Sequence, residues 1–217
     1  MQAMLQEAVR FAFKDRSWIL KLLIGGVLGL IPIVNIVFLI GYSLTVLRDA
    51  VDNKPAVLPE WTCWGDFGKA GLYGLGALGV YGLPLILLGF LSNSPGVGKF
   101  FYVLFVIVNF LTIPIFTLAL VQWHKDGNFK GVFAFKTVWQ NFVGQAQLYV
   151  LATLALVAIP FILSLALRAT HLDAFHLQGV MLIFPGAFIQ LLFACLWFWL
   201  SVVGARIFGQ IYVTAPK

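Results

Sequence analysis

The sequence predicts an all-α integral membrane protein, and three observations carry that prediction. Of 217 residues, 61% are hydrophobic and only 10% are charged, against roughly 25% charged in soluble domains. Mean hydropathy is +0.98. Apolar runs recur along the chain, several reaching the ~20 residues that cross a bilayer as helix. They are rich in Leu, Ile, Phe and Gly and lack period-two alternation, which excludes a β-barrel. The chain reads as one membrane domain, residues 1–217.

Residues 1–18 predict an interfacial helix. Gln2, Gln6, Arg10 and Lys14 form a polar stripe, Leu5, Ala8, Phe11 and Ala12 an apolar side, and Trp18 an anchor at the headgroups. The next apolar run, Leu22 to Leu47, is too long for a cleavable signal and has no small-residue cleavage site behind it. Pro32 and Asn35 interrupt it, so it is either one tilted, kinked span or two short helices.

Loop charge decides between the two. The six non-membrane stretches hold 4, 3, 1, 3, 1 and 2 Lys and Arg residues. A single crossing at 22–47 divides these six against eight, whereas a chain that turns back at Pro32–Asn35 divides them twelve against two. Only the second obeys the positive-inside rule. Residues 19–47 are therefore expected to form a short hairpin whose arms cannot comfortably cross a ~30 Å core. Its bend is expected to be covered by protein, because exposed backbone is costly in hydrocarbon. Both termini are expected to be cytoplasmic.

A loop at 48–69 follows, containing Leu58-Pro59-Glu60-Trp61, and then transmembrane helices at 70–91, 100–123, 147–167 and 179–205. The two copies Phe11-Ala12-Phe13-Lys14 and Phe133-Ala134-Phe135-Lys136, each followed by a Trp (Trp18, Trp139) and then by an Ile-Pro, suggest a parallel internal duplication. Trp18, Trp61, Trp64, Trp123 and Trp139 are expected as interfacial anchors.

Prolines 32, 84, 114, 160 and 185 fall one per apolar segment, as kinks or as breaks of the kind that build substrate sites in transporters. Small residues are more informative. Gly25 and Gly29 form a GxxxG, Ser201, Ala205 and Gly209 continue the pattern, and Gly71, Gly74, Gly76, Gly79 and Gly82 crowd one helix. Such positions let helix backbones approach closely. They could pack within the bundle or against another protein.

No ionisable residue lies near the middle of an apolar segment, which argues against proton relays and ion-coupled carriers. Asn35, Asn109, Thr112, Ser164 and Gln190 read as interhelical hydrogen-bonding groups. Cys63 and Cys195 suggest neither a disulfide nor a metal site. His171 and His176 around Asp173 have poor ligand spacing, so no metal is expected. No nucleophile–base pair, phosphate loop or nucleotide fingerprint occurs. The net charge of +6 is scattered at the ends of apolar runs, as membrane orientation requires, and gives no reason to invoke nucleic acid.

The run Phe13-Lys14-Asp15-x-x-Trp18, Lys21-Leu22-Leu23-Ile24-Gly25-Gly26, Ile31-Pro32-Ile33-Val34-Asn35, Gly41-Tyr42, Leu58-Pro59-Glu60-Trp61 and Trp64-Gly65-Asp66-Phe67 resembles a prokaryotic family of small multi-pass membrane proteins catalogued only as a domain of unknown function. The resemblance is specific over about residues 11–75 and implies a membrane location but no activity. In the Leu58–Phe67 stretch, Pro59 halts any helix and the aromatics would lie at headgroup level, anchoring the chain or lidding the hairpin.

The expected function is a non-enzymatic accessory or scaffold subunit in the cytoplasmic membrane, partnered by the lipid bilayer and other membrane protein subunits. No cofactor is predicted, although bound lipid or pigment stays open. A small-molecule or lipid permease and a membrane-shaping hairpin protein are the alternatives.

Overall fold

The computed structural model describes residues 2–169 and 183–214. Its α-helices are α1 (Gln2–Phe11), α2 (Trp18–Gly29), α3 (Val34–Val51), α4 (Trp64–Leu91), α5 (Gly98–Asp126), α6 (Phe135–Gly144), α7 (Ala146–Ala169) and α8 (Ile183–Val213), with 3-10 turns at Ala12–Lys14 and Phe129–Phe133. No strand occurs among the described residues. By length and composition α3, α4, α5 and Gln190–Val213 can each cross a membrane, and α6 with α7, bent by 85° at their junction, can form a fifth span. The protein is an all-α, multi-pass membrane-type fold.

The hairpin forms where Pro32 forbids helix continuation. Ile33 takes φ 70°, a strained value for a β-branched residue, and α3 then runs back. Asn35 closes the bend by donating its side-chain amide to the Gly29 carbonyl at 3.1 Å, supplying an acceptor-rich helix end with a donor. The expected protein cover over the bend is not found among the described residues: residues 30–33 are exposed. The backbone instead satisfies itself, Leu30 and Ile31 donating to Val27 and Leu28 and Val34 to Pro32, all within 3.1 Å. The arms are also unequal, 12 residues in α2 and 18 in α3.

The expected loop at 48–69 is trimmed at both ends. α3 carries the chain to Val51, and α4 begins at Trp64, where the Cys63 carbonyl accepts from Asp66 and Phe67. Asp66 in the first turn suits the positive end of the helix. The span expected at 100–123 lies within α5, which ends on Gly127 at φ 62°, and the span expected at 147–167 lies within α7. The last expected span, 179–205, starts among residues outside the described set, and its helix continues past 205 to Val213.

α1 packs its Ala8 and Phe11 side inward against α8. Leu5 and Ser164 have side chains outside the described set, as do His171, Asp173 and His176. The two Phe-Ala-Phe-Lys copies occupy comparable places: each meets a 3-10 turn, then a short helix that breaks before a longer one, α2 before α3 and α6 before α7. Their burial differs, Phe11 being 1% exposed and Phe133 48%.

Candidate functional site

The loop between α3 and α4 folds back onto the start of α2 and closes over Lys21. This lysine is 2% exposed. Its ammonium pairs with Asp15, with Glu60 Oε1 at 2.6 Å, and donates to the Leu58 carbonyl at 2.8 Å. Burying an ammonium is costly unless it is paired and hydrogen-bonded, and these three acceptors meet that need. The Lys21 carbonyl in turn accepts from Trp61 Nε1 at 3.1 Å, and Tyr42 donates its hydroxyl to the Pro59 carbonyl at 2.9 Å. Tyr42 stacks on Trp61 with ring centroids 4.5 Å apart, and Phe198 of α8 packs against both. Leu58-Pro59-Glu60-Trp61 is therefore a clasp joining α2, α3 and α8.

Asp15 also accepts from the amide and hydroxyl of Ser17, each at 2.8 Å. Burial pushes its carboxyl up, but the Lys21 ammonium and Ser17 donors outweigh that and hold it below the usual carboxylate range. Lys21 is locked between acceptors and covered, an arrangement that fixes structure and leaves no accessible base or nucleophile.

A second polar group joins the other connections at the same end of the bundle. His124 Nε2 lies 2.9 Å from Asp52 Oδ1, and Lys54 pairs with Asp49 at 2.8 Å. The His124 hydrogen bond is the main influence holding Asp52 low, and the Asp49 bond the main one raising Lys54. Arg206, 7% exposed, faces Glu7 at 3.6 Å and the Lys54 carbonyl at 3.5 Å. Arg48 lies over the Trp123 ring at 4.6 Å, and Lys125 over Tyr212 at 4.5 Å. Four of the six charge-bearing stretches, those holding Glu7, Lys54, Lys125 and Arg206, thus meet at one end.

Two readings of the tryptophans need correction. Trp61 and Trp123 are not headgroup anchors: they are 7% and 9% exposed, because one holds the clasp and the other receives Arg48. Trp64 and Trp139 are exposed and Trp18 is half-buried. Lys21, Arg48 and Arg206 carry more of the structure than the sequence suggested. Lys21 and Arg48 sit within a turn of a helix end and Arg206 inside α8, each next to an apolar run, and only contacts distant in sequence reveal their partners.

The small residues separate into two groups. A Cβ added at Gly71 would lie 1.8 Å from the Val37 carbonyl oxygen, at Gly74 2.4 Å from Ile40, and at Gly25 2.1 Å from the Phe198 ring. At Gly209 it would meet Ala50 at 2.5 Å, and at Gly29 Ala194 at 3.3 Å; Ala205 is buried. Gly26 and Gly41 belong to this group too, against Cys195 Sγ and the Phe67 carbonyl oxygen. Gly76 has one ordinary contact, Phe129 at 3.4 Å, while Gly79 and Gly82 have nothing within 4 Å among the described residues. Among the α4 glycines, close packing that leaves no room for a Cβ is thus confined to Gly71 and Gly74, while Gly76 and Gly89 have only ordinary contacts, to Phe129 and Phe105.

The family described as "Protein of unknown function (DUF4013)" matches residues 24–172, more than half of the chain. The chain belongs to this family. The match runs far beyond residue 75, where the motif resemblance faded, and starts after Lys21. No curated protein and no solved structure matches the chain. Membership of DUF4013 supplies no activity, so function is argued from geometry.

Proposed function

We propose that this DUF4013 protein is a non-enzymatic scaffold subunit that packs against other membrane proteins in the cytoplasmic membrane. One observation carries the reading: between Leu78 and Leu91 of α4, and between Lys99 and Ile113 of α5, no residue is buried. The two helices run about 42 Å each at 1.5 Å per residue. Tyr81 ties α4 to the turn after α5 through the Val132 carbonyl at 2.8 Å and the Phe135 ring, but beyond it the far halves meet little among the described residues except each other. Lipid can cover such surface, but Gly79 and Gly82 open it to a partner helix.

Polar groups in the spans argue against a transport path. Thr112, Thr117 and Thr153 donate to carbonyls four residues back in their own helices, at 2.8–2.9 Å. In this reading the end bearing Lys54 and Arg206 faces the cytoplasm, in keeping with the charge bias, and both termini lie there.

Purification of the tagged protein in mild detergent, with identification of what co-purifies, tests the role. A specific membrane protein should accompany the wild type and be lost from a Gly79→Leu, Gly82→Leu variant. A protein that purifies alone, with the variant unchanged, would overturn the scaffold reading. Single cysteines at Asn53 and Asn93 should label from opposite sides, the first from the cytoplasm; labelling from one side would overturn the orientation.

A further inference from the structure

We propose that the exposed flank of α5 pairs with the same flank of a second copy of this chain through Asn109. The proposal names an occupant for the α4–α5 arm and so rests on reading that arm as a packing surface.

Asn109 is exposed. It lies ten residues from Lys99 and fifteen from His124, about 15 and 22 Å along the helix, which places it near the middle of the span. Among the described residues its side chain has no hydrogen-bond partner. The hydroxyls of Thr112 and Thr117 on the same helix donate to their own backbone, and the Asn35 NH2 donates to Gly29, although the Asn35 side-chain oxygen is buried without a partner among the described residues. Gln190 is likewise exposed and without a partner among the described residues, but it lies where the described side chains of α8 begin, not at mid-span.

Hydrocarbon offers an amide neither donor nor acceptor; an NH2 group can turn to a carbonyl of its own helix, as that of Asn93 does to Gly89, but the carbonyl oxygen needs a donor that a protein partner must supply. A second copy does so without any further requirement. Two copies in one membrane share an orientation, and a two-fold axis along the membrane normal puts residue 109 at the same depth in each. Each carbonyl can then accept from the other copy's NH2 group, an isologous pair that closes on itself. Another protein would have to present a matching polar group at that depth.

The surroundings fit a helix seam. Tyr102, Val106 and Asn109 follow one another at four- and three-residue steps, which puts them on one face, and all three are exposed. Phe100, also exposed, lies on the opposite edge of the exposed arc. Lys99 lies toward the helix end, where two crossing helices have diverged and the ammonium groups reach the headgroups.

The test uses purified full-length protein in phosphatidylcholine–phosphatidylglycerol vesicles. Cys195→Ala leaves the exposed Cys63 as the single label site, and donor- and acceptor-labelled copies report association as the protein-to-lipid ratio is varied. The wild type should associate as a dimer. Asn109→Leu should weaken association by roughly 3- to 30-fold, the range for a hydrogen bond between membrane helices. Asn109→Gln should retain most of it, and Phe100→Ala should leave it unchanged. A wild type monomeric at every ratio, or an Asn109→Leu protein that associates equally well, overturns the proposal. If the purified protein is monomeric but Asn109→Leu loses a different co-purifying protein, the second copy is excluded and the scaffold reading stands. A dimer broken by Asn109→Leu in a protein that never co-purifies with another removes the scaffold reading and leaves the dimer.

Discussion

The two halves of α4 are one continuous helix in two environments. From Phe67 to Gly74 its glycines meet α3 backbone and side chains, and the clasp of Lys21, Trp61 and Tyr42 closes beside them. From Leu78 to Leu91 the same helix, still glycine-containing, reaches Val132 and Phe135 through Tyr81 and otherwise meets little but α5 among the described residues. Only 11% of the most apolar stretch of α4 is buried, against 50% for α8. Hydrophobicity and glycine content therefore do not distinguish a packed surface from an open one. What separates them is whether another backbone can reach the small residue.

The sharpest way to break the comparison is to fill one glycine from each half. Gly71→Ala should cost at least about 3 kcal/mol, the upper part of the overpacking range, since the Val37 carbonyl in its way is main chain. Gly79→Ala should leave stability unchanged or raise it by up to ~1 kcal/mol through helix propensity. Unfolding in mixed detergent measures both, and equal effects would dissolve the distinction.

The next effect tests the clasp. Lys21→Met should cost about 3 kcal/mol, because it leaves Asp15 buried without its cation. Adding Asp15→Asn should recover part of that loss, a coupling that a double-mutant cycle reads directly. Additive losses would mean that the ion pair does not hold the loop.

A smaller change separates the ring of Trp61 from its N–H. Trp61→Phe keeps the stacking face on Tyr42 and removes the bond to the Lys21 carbonyl, so about 1 kcal/mol should be lost. The thermal midpoint in detergent reports it.

The smallest effects are those of pH and of the exposed ion pairs. Asp15 is held below its ordinary value, so its contribution is present above about pH 4 and is lost as pH falls through the lowered value. Stability should stay level at neutral pH and drop in acid, with a shallower drop in the Lys21→Met, Asp15→Asn protein. Asp52→Asn should cost under about 1 kcal/mol, as an exposed pair does. A larger loss there would move part of the structural burden from the clasp to the His124 end.

Much of the architecture was legible in residue order. Pro32 with the charge count predicted a chain reversal, and the reversal is there; three of the later apolar runs lie within α4, α5 and α7, and the described part of the fourth lies within α8. The clasp was only half legible. Pro59 and the aromatics around it marked an unusual loop, but Lys21 and Glu60 are 39 residues apart, and no periodicity relates them. The missing cover over the bend was misread for a local reason: Asn35 and short-range turns satisfy the backbone that was expected to need protein around it.

The sequence by itself determined that the chain is helical and membrane-embedded, and where it turns, because a bilayer demands apolar length and self-satisfied backbone from any segment that enters it. Tertiary structure alone decided which glycines are filled by a neighbour, which tryptophans face inward, and which polar group is left at the surface. Those outcomes depend on which helices cross and at what distance, and a helix carries the same residues whether its neighbour is a carbonyl 1.8 Å from an added Cβ or open space.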